Sequence, residues 1–496
     1  QQGIRITVTT FREHVPECRI ERGIIMRKRP LALLTAAALA AGTLAGCGSS
    51  ASAPTGAAQK AEASGKESSQ AAEGKTETAG QAGGAAGVDV SGATGEINVW
   101  TNLSQSEMNF YVEEFNKRVP GVKVTVTVMP GNEYRTKLQN AFRTGTNAPD
   151  VATFEISDFG MYKNTDLLEN LSTESYDAEA LSKDMIPYVD ELSRDNSGNL
   201  RGLSYQATPG GFWYKKALAR EYLGTDDPEE LHEMLKDWDS IIEVGKQVNE
   251  KSGGKIGLLD DIETVEQIYC SYKGAPWVDE NNHIISDDFL MEQLNLMQRV
   301  VDNNVDARAD QWSAGWTSGM YSQDMFILIG LPSWALNFCI KPGIPEGEME
   351  KAADTWGYME APAPYQNGGT WYGIYSGSKN KEAAYAWVKT MTADKDYLVN
   401  GLAGQLGDFP AYIPAIEQCI EEGHTDIVTG DQQYFQSFYD TAMNVKADPM
   451  TKYDRQAWTS MTAQMDLLAG GGATPEEACQ GFKEDMQRIY PEIVID

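Results

Sequence analysis

The sequence predicts an α/β protein of two lobes. Strand, helix, strand, helix and strand follow one another from Glu96 to Phe154, which is the unit of a largely parallel sheet. The same alternation resumes after Trp238, and residues 96–496 are enough chain for two cores. At 41% hydrophobic residues the composition supplies the apolar material that both cores need.

The first strand is read at 96–101 (EINVWT), which alternates and is β-rich. Ser104 and Glu107 then form a capping box, and Met108, Tyr111, Val112, Phe115 and Val119 share one helical face before Pro120-Gly121 stops it. Val122, Val124, Val126 and Val128 alternate with Lys123, Thr125 and Thr127, giving a strand with one wet face. Asn132 is expected to cap a helix with the stripe Tyr134, Leu138, Ala141 and Phe142, after which Pro149-Asp150 leads into a third strand. Ligands of such sheets sit at the carboxyl ends of strands, where Trp100, Asn102, Phe154, Glu155 and Asp158 fall. Further on, 238–249 and 287–302 read as amphipathic helices, and 325–331 (MFILIGL) as a buried strand opening into Pro332-Ser333-Trp334. Residues 370–375 form another strand, 381–391 a helix, and Thr474-Pro475-Glu476-Glu477 starts the last helix with a cap, a first-turn Pro and a capping-box Glu.

The charge balance excludes several function classes. With 41 Lys and Arg against 72 Asp and Glu, a net charge of −31 and a pI near 4.5, nucleic acid is not an expected partner, because phosphate binding needs clustered cations. The 4 His are scattered without an HExxH pattern, so no metal is expected, and no cofactor motif occurs. From Met26 three basic residues, an apolar stretch from Leu31 to Leu44 and small residues up to Gly46 read as a secretory signal peptide (26–46), with residues 1–25 as a leader from a misplaced start. Leu44-Ala45-Gly46-Cys47 is similar to a bacterial lipobox, which makes Cys47 the expected lipidated residue and lipid the expected hold on the membrane. Residues 47–95, made of small and polar residues, are expected to be a tether. Cys270, Cys339, Cys419 and Cys479 could pair as disulfides or sit as buried thiols, and spacing does not choose.

The order of motifs carries a resemblance. Phe115-Asn116-Lys117, Pro120 to Val124, Gly145 to Asp150 with APDV, Leu168 and Leu171 are followed by Tyr205, Trp213-Tyr214-Lys215, Trp238-Asp239, Pro332 to Trp334, GGTWYGI ending at Ile374, Ser378 to Lys381, and Thr474 to Ala478. Together they resemble the extracellular solute-binding proteins of carbohydrate ABC transporters, the maltose-binding-protein-like family 1, over essentially the whole body. The resemblance implies two lobes, 96–207 with 372–410 and 208–371 with 411–496. They are joined by a hinge crossed near 206–211, 361–370 and 407–414, where turn-forming residues such as Pro209-Gly210-Gly211 agree. It also implies a monomer that traps a mono- or oligosaccharide between the lobes and passes it unaltered to the permease subunits at the outer face of the cytoplasmic membrane.

A pyranose presents an apolar C–H face and a rim of hydroxyls, so its cleft needs aromatic platforms among polar groups. By the resemblance, Trp334 stacks on sugar, Trp371 enters the cleft where the chain recrosses the hinge, and Phe154 is a further platform. Glu155, Asp158 and Asn102 are then the polar contacts. Trp100 is a strand-end ring that could instead cover the sheet. Trp312 and Trp316, spaced as on one helix face, read equally as packing, and Trp316 is taken as the one that reaches the ligand. The run Ser376 to Lys379 fits SxxK, but its companion SDN and KTG motifs are absent, and no GxSxG or P-loop is present. The alternatives are a binding protein for a peptide or polyamine, and a glycoside hydrolase, which needs only two suitably spaced carboxylates.

Overall fold

A computed structural model describes residues 88–495. The leader expected at residues 1–25, the signal peptide, Cys47 and the tether as far as residue 87 lie outside the described residues. Val88 is held before the first strand begins: its N–H donates to Asp177 Oδ2 (2.8 Å) and its carbonyl accepts from Lys389 Nζ (2.6 Å).

The described chain builds two sheets. In the first, β1 (Gly95–Thr101) lies parallel to β2 (Val122–Val128) and β3 (Val151–Glu155). The short β4 (Leu203–Ser204) completes its edge through β9, giving the order β2-β1-β3-β9-β4 with β9 (Thr370–Ile374) antiparallel to both neighbours. The second sheet has the order β6-β7-β5-β8, built from β5 (Pro209–Lys215), β6 (Gly257–Leu259), β7 (Phe326–Pro332) and β8 (Trp356–Gln366). Only β6 and β7 run parallel in it. This second sheet is thus less parallel than the alternation suggests, because β5 leaves the hinge and β8 runs back to it, and such neighbours must be antiparallel.

Local signals place the helices well. Ser104 caps Gln105–Arg118 and Thr474 caps Pro475–Ile489, each with the full capping box. Asn132 does not cap: the second helix, Gly131–Thr144, already starts after Pro130. The buried face of Gln105–Arg118 meets Lys381–Ala393 through Phe115 and Trp387, whose centroids are 5.0 Å apart. Cys270, Cys339, Cys419 and Cys479 are free thiols, and three of them are buried.

Three crossings join the lobes. The chain leaves the first sheet through residues 205–208, returns through 367–369, and leaves again through 407–412. The first and third run side by side, with the Ala207 N–H donating to Phe409 O (3.0 Å) and the Ala411 N–H to Tyr205 O (3.1 Å). Gln206 Nε2 also donates to Asp408 Oδ2 (2.8 Å), and burial pushes the Asp408 carboxyl up to about 7. The last long helix before the C-terminal one, Asp454–Ala469, packs in lobe 2 through Ala457, Met461, Met465 and Leu468.

Candidate ligand-binding site

β6 ends level with Leu328 of its parallel neighbour β7, which runs on to Pro332, and the chain continues from their carboxyl ends into Asp260-Asp261 and Ser333-Trp334. The Trp334 indole N–H donates to Asn367 O (3.0 Å), which pins this ring to the second hinge crossing. Trp312 stacks on it with centroids 5.8 Å apart and planes 26° off parallel, and is 61% exposed. This large exposed ring stands in the left-handed region at φ 67°, a conformation that a bulky residue rarely takes.

Trp316 sits behind this pair. It is buried, tilted against Trp312 at 5.4 Å, and its indole N–H donates to Asp260 Oδ2 (2.7 Å). Asp260 also accepts from Thr264 Oγ1 (2.9 Å) and Gln311 Nε2 (3.1 Å), and Gln311 Oε1 accepts from Gln267 Nε2 (3.1 Å). The network ties the platform to the sheet, since Thr264 Oγ1 also accepts from the Gly330 N–H (3.1 Å) of β7. A Cβ at Gly330 would lie 2.4 Å from Thr264 Cγ2, so only glycine allows this approach. Burial pushes Asp260 up to about 6; burial, with the like charges of Asp260, Asp306 and Asp310, pushes Asp261 up to about 7.

On the lobe 1 side, β3 ends at Glu155 and turns into the short helix Ile156–Phe159, whose first N–H donates to Gly369 O (3.1 Å) in the hinge. Glu155 and Asp158 are engaged by arginines. Arg135 Nε donates to Asp158 Oδ2 (2.7 Å), and Arg455 reaches from the lobe 2 helix Asp454–Ala469 to Asp158 Oδ1 (2.7 Å), Glu155 Oε2 (2.7 Å) and Ser157 Oγ (2.7 Å). Trp458, partly buried, lies one turn further along the same helix face. The lobes approach closely here, because a Cβ on Gly160 would fall 2.7 Å from Thr451 O.

The structure therefore divides the residues expected to touch ligand. Trp334 stands at the hinge, Glu155 and Asp158 lie on the lobe 1 side of the same junction, and Asn102 is exposed at the end of β1. Trp371 is not offered to a ligand: it is 1% exposed, stacked on Phe159 at 5.5 Å, with its N–H on Ser193 Oγ (2.8 Å). β9 has a strand on each side and the Phe159 ring over it, so the ring is core. Phe154 is likewise buried, among Phe142, Phe159 and Tyr162. Trp316 is the supporting ring and Trp312 the presented one, because Ser313 caps the helix Ala314–Gly319 and leaves Trp312 outside it. Trp100 lines a separate shallow depression of about 430 Å³ with Lys137, Asn140 and Asn147, away from the platform.

Asp260, Asp261, Gln311, Arg455 and Trp458 were not singled out from sequence. The strand-end rule that pointed to Glu155 applies equally to Asp260-Asp261 after Gly257–Leu259, so that signal was present; Arg455 had none. Among the described residues no group of His, Cys, Asp and Glu is arranged to hold a metal ion, and no helix is long and apolar enough to cross a membrane.

Comparisons with known proteins agree with this architecture. Residues 100–397 match the family described as bacterial extracellular solute-binding protein. An arabinooligosaccharide-binding protein of Halalkalibacterium halodurans is 25% identical over 224 residues, a stretch that spans 44% of this chain and only about half, 47%, of that relative. Among solved structures, an extracellular solute-binding protein family 1 member superposes with a TM-score of 0.69 at 16% identity, covering 79% of this chain and 99% of the other. The ABC transporter associated binding protein of B. animalis subsp. lactis, in complex with β-1,6-galactobiose, does so with a TM-score of 0.63 at 19% identity, covering 80% and 98%. With a two-lobed α/β body crossed three times at its hinge and a family match over more than half its length, the chain belongs to the bacterial extracellular solute-binding proteins.

Proposed function

We propose that this protein is the sugar-capturing component of an ABC importer, closing its lobes on a mono- or oligosaccharide beside the hinge and handing it unaltered to the permease subunits. The observation that carries this reading is the Trp312–Trp334 stack, an exposed indole backed by the buried Trp316, whose N–H is held by Asp260. Such a ring takes the apolar C–H face of a sugar. Two relatives, an arabinooligosaccharide-binding protein and a binding protein in complex with β-1,6-galactobiose, support the same class. The reading contains no catalytic step and no cofactor. The protein works as a monomer, and it includes export and a lipid on Cys47 as the anchor at the outer face of the cytoplasmic membrane, which Cys47→Ser would release into the soluble fraction.

A thermal-shift panel of neutral oligosaccharides, peptides and polyamines tests the ligand class, because only a true ligand raises the melting point by mass action. Oligosaccharides are expected to give the shift. A shift with peptides or polyamines alone, or the release of new reducing ends from an oligosaccharide, would overturn the reading.

A further inference from the structure

We propose that the lobe 2 wall of this site selects uncharged sugars and rejects acidic ones, such as uronates, by charge. The inference deepens the sugar-binding reading and rests on it.

The wall is made of acceptors. Asp260, Asp261 and Asp306 are all buried at the end of β6, where the loop 303–312 docks through the Ala307 N–H on Leu259 O (2.9 Å) and the Ala309 N–H on Asp260 O (3.0 Å). Every side-chain donor to Asp260 is neutral: an indole, a hydroxyl and an amide. Gln267 Oε1 and Asp306 Oδ1 are buried in the same wall with no partner in the protein. A buried acceptor without a donor is costly unless something brings one, and a sugar hydroxyl brings a donor where a carboxylate brings only a further acceptor.

Three of the four cations near the site, Lys215, Arg135 and Arg455, are engaged elsewhere. Lys215, which feels Asp260, places its ammonium on the carbonyls of Gly319 and Ser322 at 2.7 Å each. Arg135 of lobe 1 and Arg455 of lobe 2 sit on Glu155 and Asp158, so two positive charges meet two negative ones. Arg308, exposed on the docking loop, acts on Asp306. An acidic sugar on the Trp312–Trp334 platform would thus come near three buried carboxylates, Asp260, Asp261 and Asp306, against one exposed guanidinium, that of Arg308, and the net charge of −31 adds a field of the same sign as the carboxylates.

Isothermal titration of the full-length protein at about pH 8 and low salt tests this with two probe sets of matched length: neutral arabino- and galacto-oligosaccharides, and oligogalacturonates. Neutral sugars are expected to bind, and uronates to bind at least about tenfold more weakly. The gap is expected to narrow as sodium chloride is raised, which screens like-charge repulsion without altering the fold, and to narrow in Asp261→Asn and Asp306→Asn. Uronates binding as tightly as the neutral set, or a gap indifferent both to salt and to the two variants, would overturn the charge selection while leaving sugar binding in place. Binding by neither set would overturn the sugar reading and the selection with it.

Discussion

Arg455 Nη2 lies 2.7 Å from Glu155 Oε2, so a guanidinium on a lobe 2 helix is seated on a carboxylate at the end of a lobe 1 strand. Asp158 takes the Nε of the same side chain at 2.7 Å. These groups are some 300 positions apart in the chain and belong to different lobes.

Arg455→Ala should therefore loosen the contact between the lobes. Charge-assisted hydrogen bonds of this kind are worth about 1–2 kcal/mol once partial exposure is allowed for. Small-angle scattering of the ligand-free variant should give a larger radius of gyration than the parent, with ligand affinity down roughly tenfold by that figure. An unchanged radius would show that the pair does not hold the lobes.

Trp312→Gly removes an exposed ring and also the strain of its left-handed backbone. Its melting temperature should be unchanged or slightly raised, while sugar affinity falls by about 2 kcal/mol or more. Trp371→Ala should do the reverse in kind, costing about 3–5 kcal/mol of stability because it empties a core position. Chemical denaturation beside ligand titration separates the two.

Burial pushes Asp260 up to about 6, and Asp261 and Asp408 up to about 7, from an ordinary value of 3.8. Glu266, buried with neither carboxylate oxygen partnered, is raised as well. The folded form holds these protons more tightly than the unfolded chain, so stability should rise as pH falls from about 8 towards about 4. Lys215 and Lys163, lowered by burial to about 7 and about 8, oppose this at the alkaline end of that window, and Glu179, which Arg194 holds below its ordinary range, opposes it from about 4.5 downward, so the carboxyls prevail between these limits. The melting temperature should be higher at about pH 5.5 than at about pH 8, and the reverse order would contradict the buried-carboxyl assignment.

The four cysteines of the body are free thiols. Burial pushes Cys419 up to about 12, and Cys339 is raised by burial as well. Both should react with a thiol reagent only on unfolding, and a reducing agent should leave the melting temperature where it was.

Much of the fold was legible because it is written in short-range signals. The alternation of Val122 to Val128 and the capping boxes at Ser104 and Thr474 each specify an element by themselves. Of the candidate site, the placement of Trp334 directly after a buried strand was legible. Trp312 was hidden by its spacing from Trp316, which imitates a helix face although Ser313 starts the helix only after it. Trp371 misled because its position beside the hinge says nothing about the Phe159 ring that covers it. The partners of Glu155 and Asp158 come from the far end of the chain, and no local pattern announces a contact made by tertiary closure.

The most direct test is a crystal structure of the protein with a neutral oligosaccharide that it binds. A sugar ring should lie against the Trp312–Trp334 stack, between the lobes, with hydroxyls donating to the carboxylates and amides after β6. Density for the sugar elsewhere, with Trp312 still facing solvent, would contradict the account.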